Sequence, residues 1–250
     1  ANFYISMYRE NTPSEQNNND KDRLNISAKL SYAKRLTSLL SFSVGLETRQ
    51  THLVYLKSER SGQNHWTRFI GFNPRVYFST DHFSMNPSMH VYARYMIYDY
   101  ESASPTVRSL STREIEYSDS LRISINQKFS IQSRILFRYY ENGSLFWDSF
   151  SELPETGNFE QFTKMMLVLE KQKYTAGLGI RYYRFVQERL NTAPGSPAGS
   201  TTDHLSYGPE TYLAVTFNST TLYFSGWYEL QHVNNKIKVL GIETSPIKGT

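Results

Sequence analysis

The chain has 250 residues, 27 Lys and Arg against 23 Asp and Glu, and no cysteine. A formal net charge of +4 with no Lys/Arg-rich block gives no basis for nucleic-acid binding, and the missing thiols exclude a disulfide framework and thiolate metal sites. Mean hydropathy is −0.53 although 15% of the residues are aromatic, which fits neither disorder nor a helical membrane protein and does fit strands with one apolar and one wet face.

The opening "ANFYISMYRE" carries no basic stretch followed by an apolar one, so no secretory signal is expected there. Beyond it, strict alternation recurs along nearly the whole chain. In "RLNISAKLSY" the apolar set is Leu24, Ile26, Ala28, Leu30 and Tyr32; in "LSFSVGLETR" it is Leu40, Phe42, Val44 and Leu46. Ile70, Phe72, Val76 and Phe78 follow, then Val91, Ala93, Tyr95 and Ile97. Later segments repeat the pattern at Leu121/Ile123/Ile125, Ile131/Ile135/Phe137, Met165/Leu167/Leu169, Leu178/Ile180/Tyr182, Leu213/Val215/Phe217 and Leu222/Phe224/Tyr228.

This predicts twelve strands near residues 1–10, 22–33, 38–51, 65–79, 88–101, 113–126, 129–141, 161–171, 174–187, 208–217, 221–231 and 235–244. Short connections such as "AKRLTS", "NQKFS", "EKQKY" and "FNSTTL" alternate with long polar ones such as "NTPSEQNNNDKD", "KSERSGQNH" and "QERLNTAPGSPAGSTTDH". Tight turns then gather at one end of an up-and-down sheet and long loops at the other. A soluble sandwich or lipocalin-like barrel shares the alternation. The long strands, the aromatic residues that end the apolar stripes (Trp66, Tyr100, Tyr139, Tyr182, Tyr228) and the connection rhythm favour a membrane barrel. Pro74, on the lipid-facing parity, predicts a bulge beside Asn73.

Through these segments the chain resembles bacterial outer-membrane β-barrel proteins as a class. The resemblance implies an all-β fold: one closed antiparallel up-and-down transmembrane barrel of about twelve strands over residues 1–250. Both termini would be periplasmic and the long loops extracellular. It departs from the class at its end, "NKIKVLGIETSPIKGT", which lacks a terminal aromatic residue.

If the apolar parity meets lipid, the other parity meets the lumen. Lys29, Arg49, Arg75, Arg94, Arg122, Arg134, Arg138 and Arg181 are then lumen residues, joined by Glu47, Glu170 and Glu229. An arginine on the lipid face near the midplane costs about 2–4 kcal/mol, a penalty that the lumen avoids. Eight cations over three carboxylates predict a wall that concentrates small anions; alternatively these side chains pair among themselves and fill a non-conducting barrel inside a larger envelope assembly. Expected partners are membrane lipid and lipopolysaccharide, small anionic solutes, and other envelope proteins reached through the extracellular loops. No cofactor or metal is expected, since the histidines lack ligand spacing.

The one enzyme-like motif is "DHLSYG", in which His204, Ser206 and Gly208 resemble the His-x-Ser-x-Gly of outer-membrane phospholipase A; Tyr207 stands where that family has Asn. Parity with Leu213 and Val215 points His204 and Ser206 to the lumen and not to lipid. Gly177 and Gly179 are read as room for a neighbouring lumen side chain. The aromatic stretch "ENGSLFWDSF" is expected as a loop, packed on the rim, folded into the lumen or docking a partner.

Overall fold

In the computed structural model, residues 1–10, 19–101, 109–190, 199–239 and 242–243 are described. They form one antiparallel sheet that runs up and down in chain order. Its strands are β1 (Asn2–Glu10), β2 (Lys21–Arg35), β3 (Leu40–Tyr55), β4 (His65–Ser79), β5 (Phe83–Met85), β6 (Ser88–Tyr98) and β7 (Leu110–Ser124). Then come β8 (Phe129–Phe146), β9 (Ser151–Lys171), β10 (Tyr174–Arg189), β11 (Ser200–Phe217), β12 (Thr220–Trp227), β13 (Leu230–Val239) and β14 (Ile242–Glu243).

Two pairs of these segments are single strands in register. β5 and β6 lie on the same two neighbours, β4 and β7, interrupted at Asn86 and Pro87. β12 and β13 likewise continue one another along β11. The strand expected separately at 235–244 is therefore largely the continuation of the one before it, because the 18-residue β11 needs a partner of matching length. Eleven passes result, and β14, antiparallel to β13, begins a twelfth. Among the described residues β1 pairs only with β2, and no pairing joins it to the last strands. Ten antiparallel steps separate β1 from β12–β13, so those two run in the same direction.

The strands tilt as barrel strands must. A hydrogen-bonded row runs from Ala28 through Thr48, Ile70, Ala93, Arg113, Glu141, Gly157 and Glu188 to Thr201. Ala28 lies seven residues from the turn end of β2 at Arg35, and Thr201 lies sixteen from that of β11 at Phe217. The stagger is about one residue per strand.

Register puts every apolar set named above on one face. That face is left uncovered: Phe3 is 68% exposed, Leu178 67% and Ile180 60%. Among the described residues only Leu53, Ile97, Leu145, Met166 and Val168 are buried apolar side chains. A soluble sandwich would bury this face, and among the described residues no second layer lies on it. Charge enters it at one level. Going up from the turns, β4 reads Phe78, Val76, Pro74, Phe72 and Ile70 before Arg68; β8 is apolar or small until Glu141; β10 until Arg184. About ten residues of tilted strand are thus free of charge, the height of a hydrocarbon belt of roughly 25 Å. Lys34 and Lys171 stand on this face only at the turn ends of β2 and β9. Asp119 is the exception within the belt, and its carboxylate accepts the Asn86 backbone N–H at 3.1 Å, beside the interruption at Pro87. Above the belt the same face carries ion pairs: Arg9 with Asp22 at 3.0 Å and Arg184 with Asp203 at 2.8 Å. All-β, antiparallel and up-and-down, with an uncovered apolar belt, the architecture is that of an outer-membrane-type barrel wall.

Two further expectations are corrected. No bulge accompanies Pro74, which pairs with Val44 in unbroken register, while the ladder to β6 lapses between Phe72 and Arg75. Proline lacks only one donor, and omitting pairs on one side accommodates it. The bulge lies instead between Asn142 and Gly143 on β8. There a Cβ on Gly143 would stand 2.2 Å from the Leu153 carbonyl oxygen, so only glycine fits. The stretch 141–158 is not a long loop: β8 and β9 extend into it, and only Trp147–Phe150 turns. That turn folds onto the rim of the apolar face, with the Arg68 guanidinium 4.6 Å from the Trp147 ring centroid and Phe150 6.0 Å from Tyr95. The stretches 11–18, 102–108, 191–198 and 244–250, parts of the other long connections and of the atypical C-terminus, lie outside the described residues.

Candidate functional site

Register places all eight sequence-predicted cations on the face opposite the apolar belt. Between the rims it adds Lys164 and four carboxylates, Glu114, Glu116, Glu160 and Glu210, to that face. Their parity was legible in the sequence: each lies an even number of residues from Arg122, Arg138, Glu170 or Tyr212. The wall is accordingly closer to balance than eight against three.

The eight cations divide into three groups. Arg122, Arg134 and Arg181 line one cavity of about 670 Å³, together with Lys164, Gln132, Glu210, Tyr212 and Tyr223. Lys29 and Arg75 line a second polar cavity of about 420 Å³, with Glu47, His90 and Glu116. Arg49, Arg94 and Arg138 line neither of these two cavities. Arg138 stands in register between Glu116 and Glu160 and pairs with Glu160, which neutralises it within the wall. Arg49 pairs with Glu47 at 3.1 Å.

The larger cavity is built on a row of three cations. Arg134 on β8 is opposite Lys164 on β9, and Lys164 is opposite Arg181 on β10. Neighbouring like charges repel, and the wall relieves two of the three through carboxylates that are not their ladder neighbours. Lys164 pairs with Glu210 and Arg181 with Glu229, each two strands away. Arg122 does the same with Glu170, at 2.7 Å.

Small residues make these skipped-strand contacts possible. Gly208 stands in register with Arg181 and close under the Tyr228–Glu229 backbone, and Gly179 stands beside Glu210. Buried Ser130 lies on β8 between the strands of Arg122 and Glu170. Gly177 serves a different purpose: a Cβ there would meet the Tyr212 ring at 2.2 Å, so the ring lies over the glycine. Tyr212 in turn stacks on Tyr223, centroids 6.0 Å apart at 21°. The expectation that Gly177 and Gly179 leave room for a lumen side chain holds.

Arg134 is left over. Among the described residues no ion pair involves it, although it lines the cavity beside Lys164. Counting Glu170, Glu210 and Glu229 against Arg122, Arg134, Lys164 and Arg181, the cavity keeps one positive charge.

His204 and Ser206 do lie on the lumen face, opposite Phe185 and Tyr183. Ser206 is buried and His204 sits edge-on to Tyr183, ring centroids 6.1 Å apart. Among the described residues no hydrogen bond links the two. Gly208 works here as the passage for Arg181. Among the described residues no group of three metal-ligating side chains converges.

No family model and no curated protein matches the chain. It is similar to the crystal structure of the siderophore receptor PiuA from Acinetobacter baumannii, with a TM-score of 0.46 and 10% identity over 87% of this chain and 45% of that one. The chain thus spans less than half the length of that receptor.

Proposed function

We propose that the chain forms an outer-membrane barrel wall for the passive passage of small anionic solutes, with both termini periplasmic and the long loops extracellular. The observation that carries the reading is the row Arg134–Lys164–Arg181 on the wall of the 670 Å³ cavity, with Arg134 uncompensated among the described residues. One spare cation set in a wall backed by hydrocarbon raises the local concentration of anions and opposes cations. The wall acts as an electrostatic filter and performs no chemistry. Purified protein in a planar bilayer under a potassium chloride gradient tests it: a reversal potential on the chloride side is expected, and a cation-side potential or no current at any voltage overturns it.

A second reading rests on the compensation itself. Three of the four cations at the cavity hold carboxylates, and Arg138 is locked between two. A barrel whose charges pair this fully suits a non-conducting scaffold in a larger envelope assembly. Absence of current together with a partner that co-purifies in fixed ratio would favour it.

A further inference from the structure

We propose that the cavity around Arg134 is a binding station for monoanions with a flat apolar body, aromatic carboxylates being the simplest, so that the wall selects by shape as well as charge. This rests on the passage reading only for its role in transport; the binding itself does not need current.

The cavity combines two kinds of surface. One is the basic row, whose net excess among the described residues is a single positive charge located at Arg134. That excess matches one carboxylate and not a dianion, and the guanidinium fork holds a carboxylate through paired hydrogen bonds. The other is apolar and aromatic: Phe162 and Met166 flank Lys164 on β9, and Tyr212 and Tyr223 come from β11 and β12. Tyr223 is 64% exposed although it is stacked on Tyr212, so its outer face is bare toward the cavity. Tyr212 is itself held in place by the space that Gly177 leaves beneath it. A pore that only repelled cations would need the charges and no aromatic platform. A small inorganic anion would leave the platform dry and unused, whereas a ring with one carboxylate covers both surfaces at once.

The test is calorimetric titration of the detergent-solubilised full chain with benzoate and with acetate, beside planar-bilayer current in potassium chloride. Benzoate is expected to bind about three- to tenfold more tightly than acetate, the size of one aromatic contact. Tyr223→Leu should remove that preference while leaving acetate binding in place, and Arg134→Gln should weaken both anions at least about fivefold. Equal affinities for benzoate and acetate, or benzoate binding untouched by Arg134→Gln, overturn the proposal. Heat-modifiable gel migration confirms that each variant is folded. Chloride-selective current without benzoate preference sinks this proposal and spares the passage reading; benzoate preference without current does the reverse.

Discussion

Arg181 on β10 meets Glu229 two strands away, Nε to Oε1 3.2 Å, because its β11 neighbour, over which the Tyr228–Glu229 backbone passes, is Gly208. Any side chain at that position would stand in the path. It would also collide with backbone, since a Cβ there lies 1.8 Å from the Tyr228 carbonyl oxygen. Gly208→Val is therefore expected to lower stability by about 1–3 kcal/mol, the usual cost of overpacking. At Gly226, also near the end of the sheet, an added Cβ would meet nothing within 4 Å. Gly226→Ala should stay within about 0.5 kcal/mol of the parent. Urea unfolding in lipid vesicles followed by tyrosine and tryptophan emission compares the two.

The pair Arg122–Glu170 spans 2.7 Å with both partners more than a third exposed. Such a pair contributes little to stability, under about 1 kcal/mol. Its electrostatic role is larger, since it removes one cation from the cavity wall. Glu170→Gln should leave the unfolding midpoint nearly unchanged and shift the bilayer reversal potential further toward chloride. A shift toward potassium would mean that this carboxylate is not what holds the cavity near neutrality.

Arg134→Gln is the converse experiment. It removes the one cation at the cavity that, among the described residues, no carboxylate compensates, so selectivity should fall toward neutrality with single-channel opening preserved. Removing Arg138, locked between Glu116 and Glu160, strands two carboxylates and should destabilise the barrel first. Reversal potentials and unfolding midpoints of the two variants, measured side by side, separate a filter residue from a structural one.

The sidedness of the wall has its own test. Ile180→Arg puts a charge on the apolar belt at a position 60% exposed and should cost about 2–4 kcal/mol in vesicle refolding. Gln132→Arg, on the opposite face at the cavity, should cost less than about 1 kcal/mol. Equal penalties would mean that the apolar face is not the one that meets lipid.

Much of this was legible in the residue order, because a strand's side chains alternate with period two and parity survives any error in where the strand ends. Leu178, Ile180 and Tyr182 were bound to share a face, and Arg181 the other, whether β10 ended at 187 or at Arg189. Glu114, Glu116, Lys164 and Glu210 were available by the same rule. The end of the chain was less legible: nothing local in "WYELQHVNNK" distinguishes a turn from a continued strand, and the length of β11 decided it. The Trp147 turn was equally opaque, since its resting place on Arg68 and Tyr95 lies some fifty to eighty residues away in sequence.

Periodicity therefore determined the two faces and eight of the cations on the polar one, and with strand length, aromatic stripe ends and the rhythm of the connections it indicated the fold class. Only the tertiary structure decided which of those cations act together. Parity assigns a side chain to a face but not to a neighbour; register between strands does that, and it is fixed by pairing across the whole sheet. It was register that set Arg134, Lys164 and Arg181 in one row. It was register again that aligned Gly208 and Gly179 so that carboxylates two strands off could neutralise two of the three, leaving Arg134, among the described residues, with its charge uncompensated.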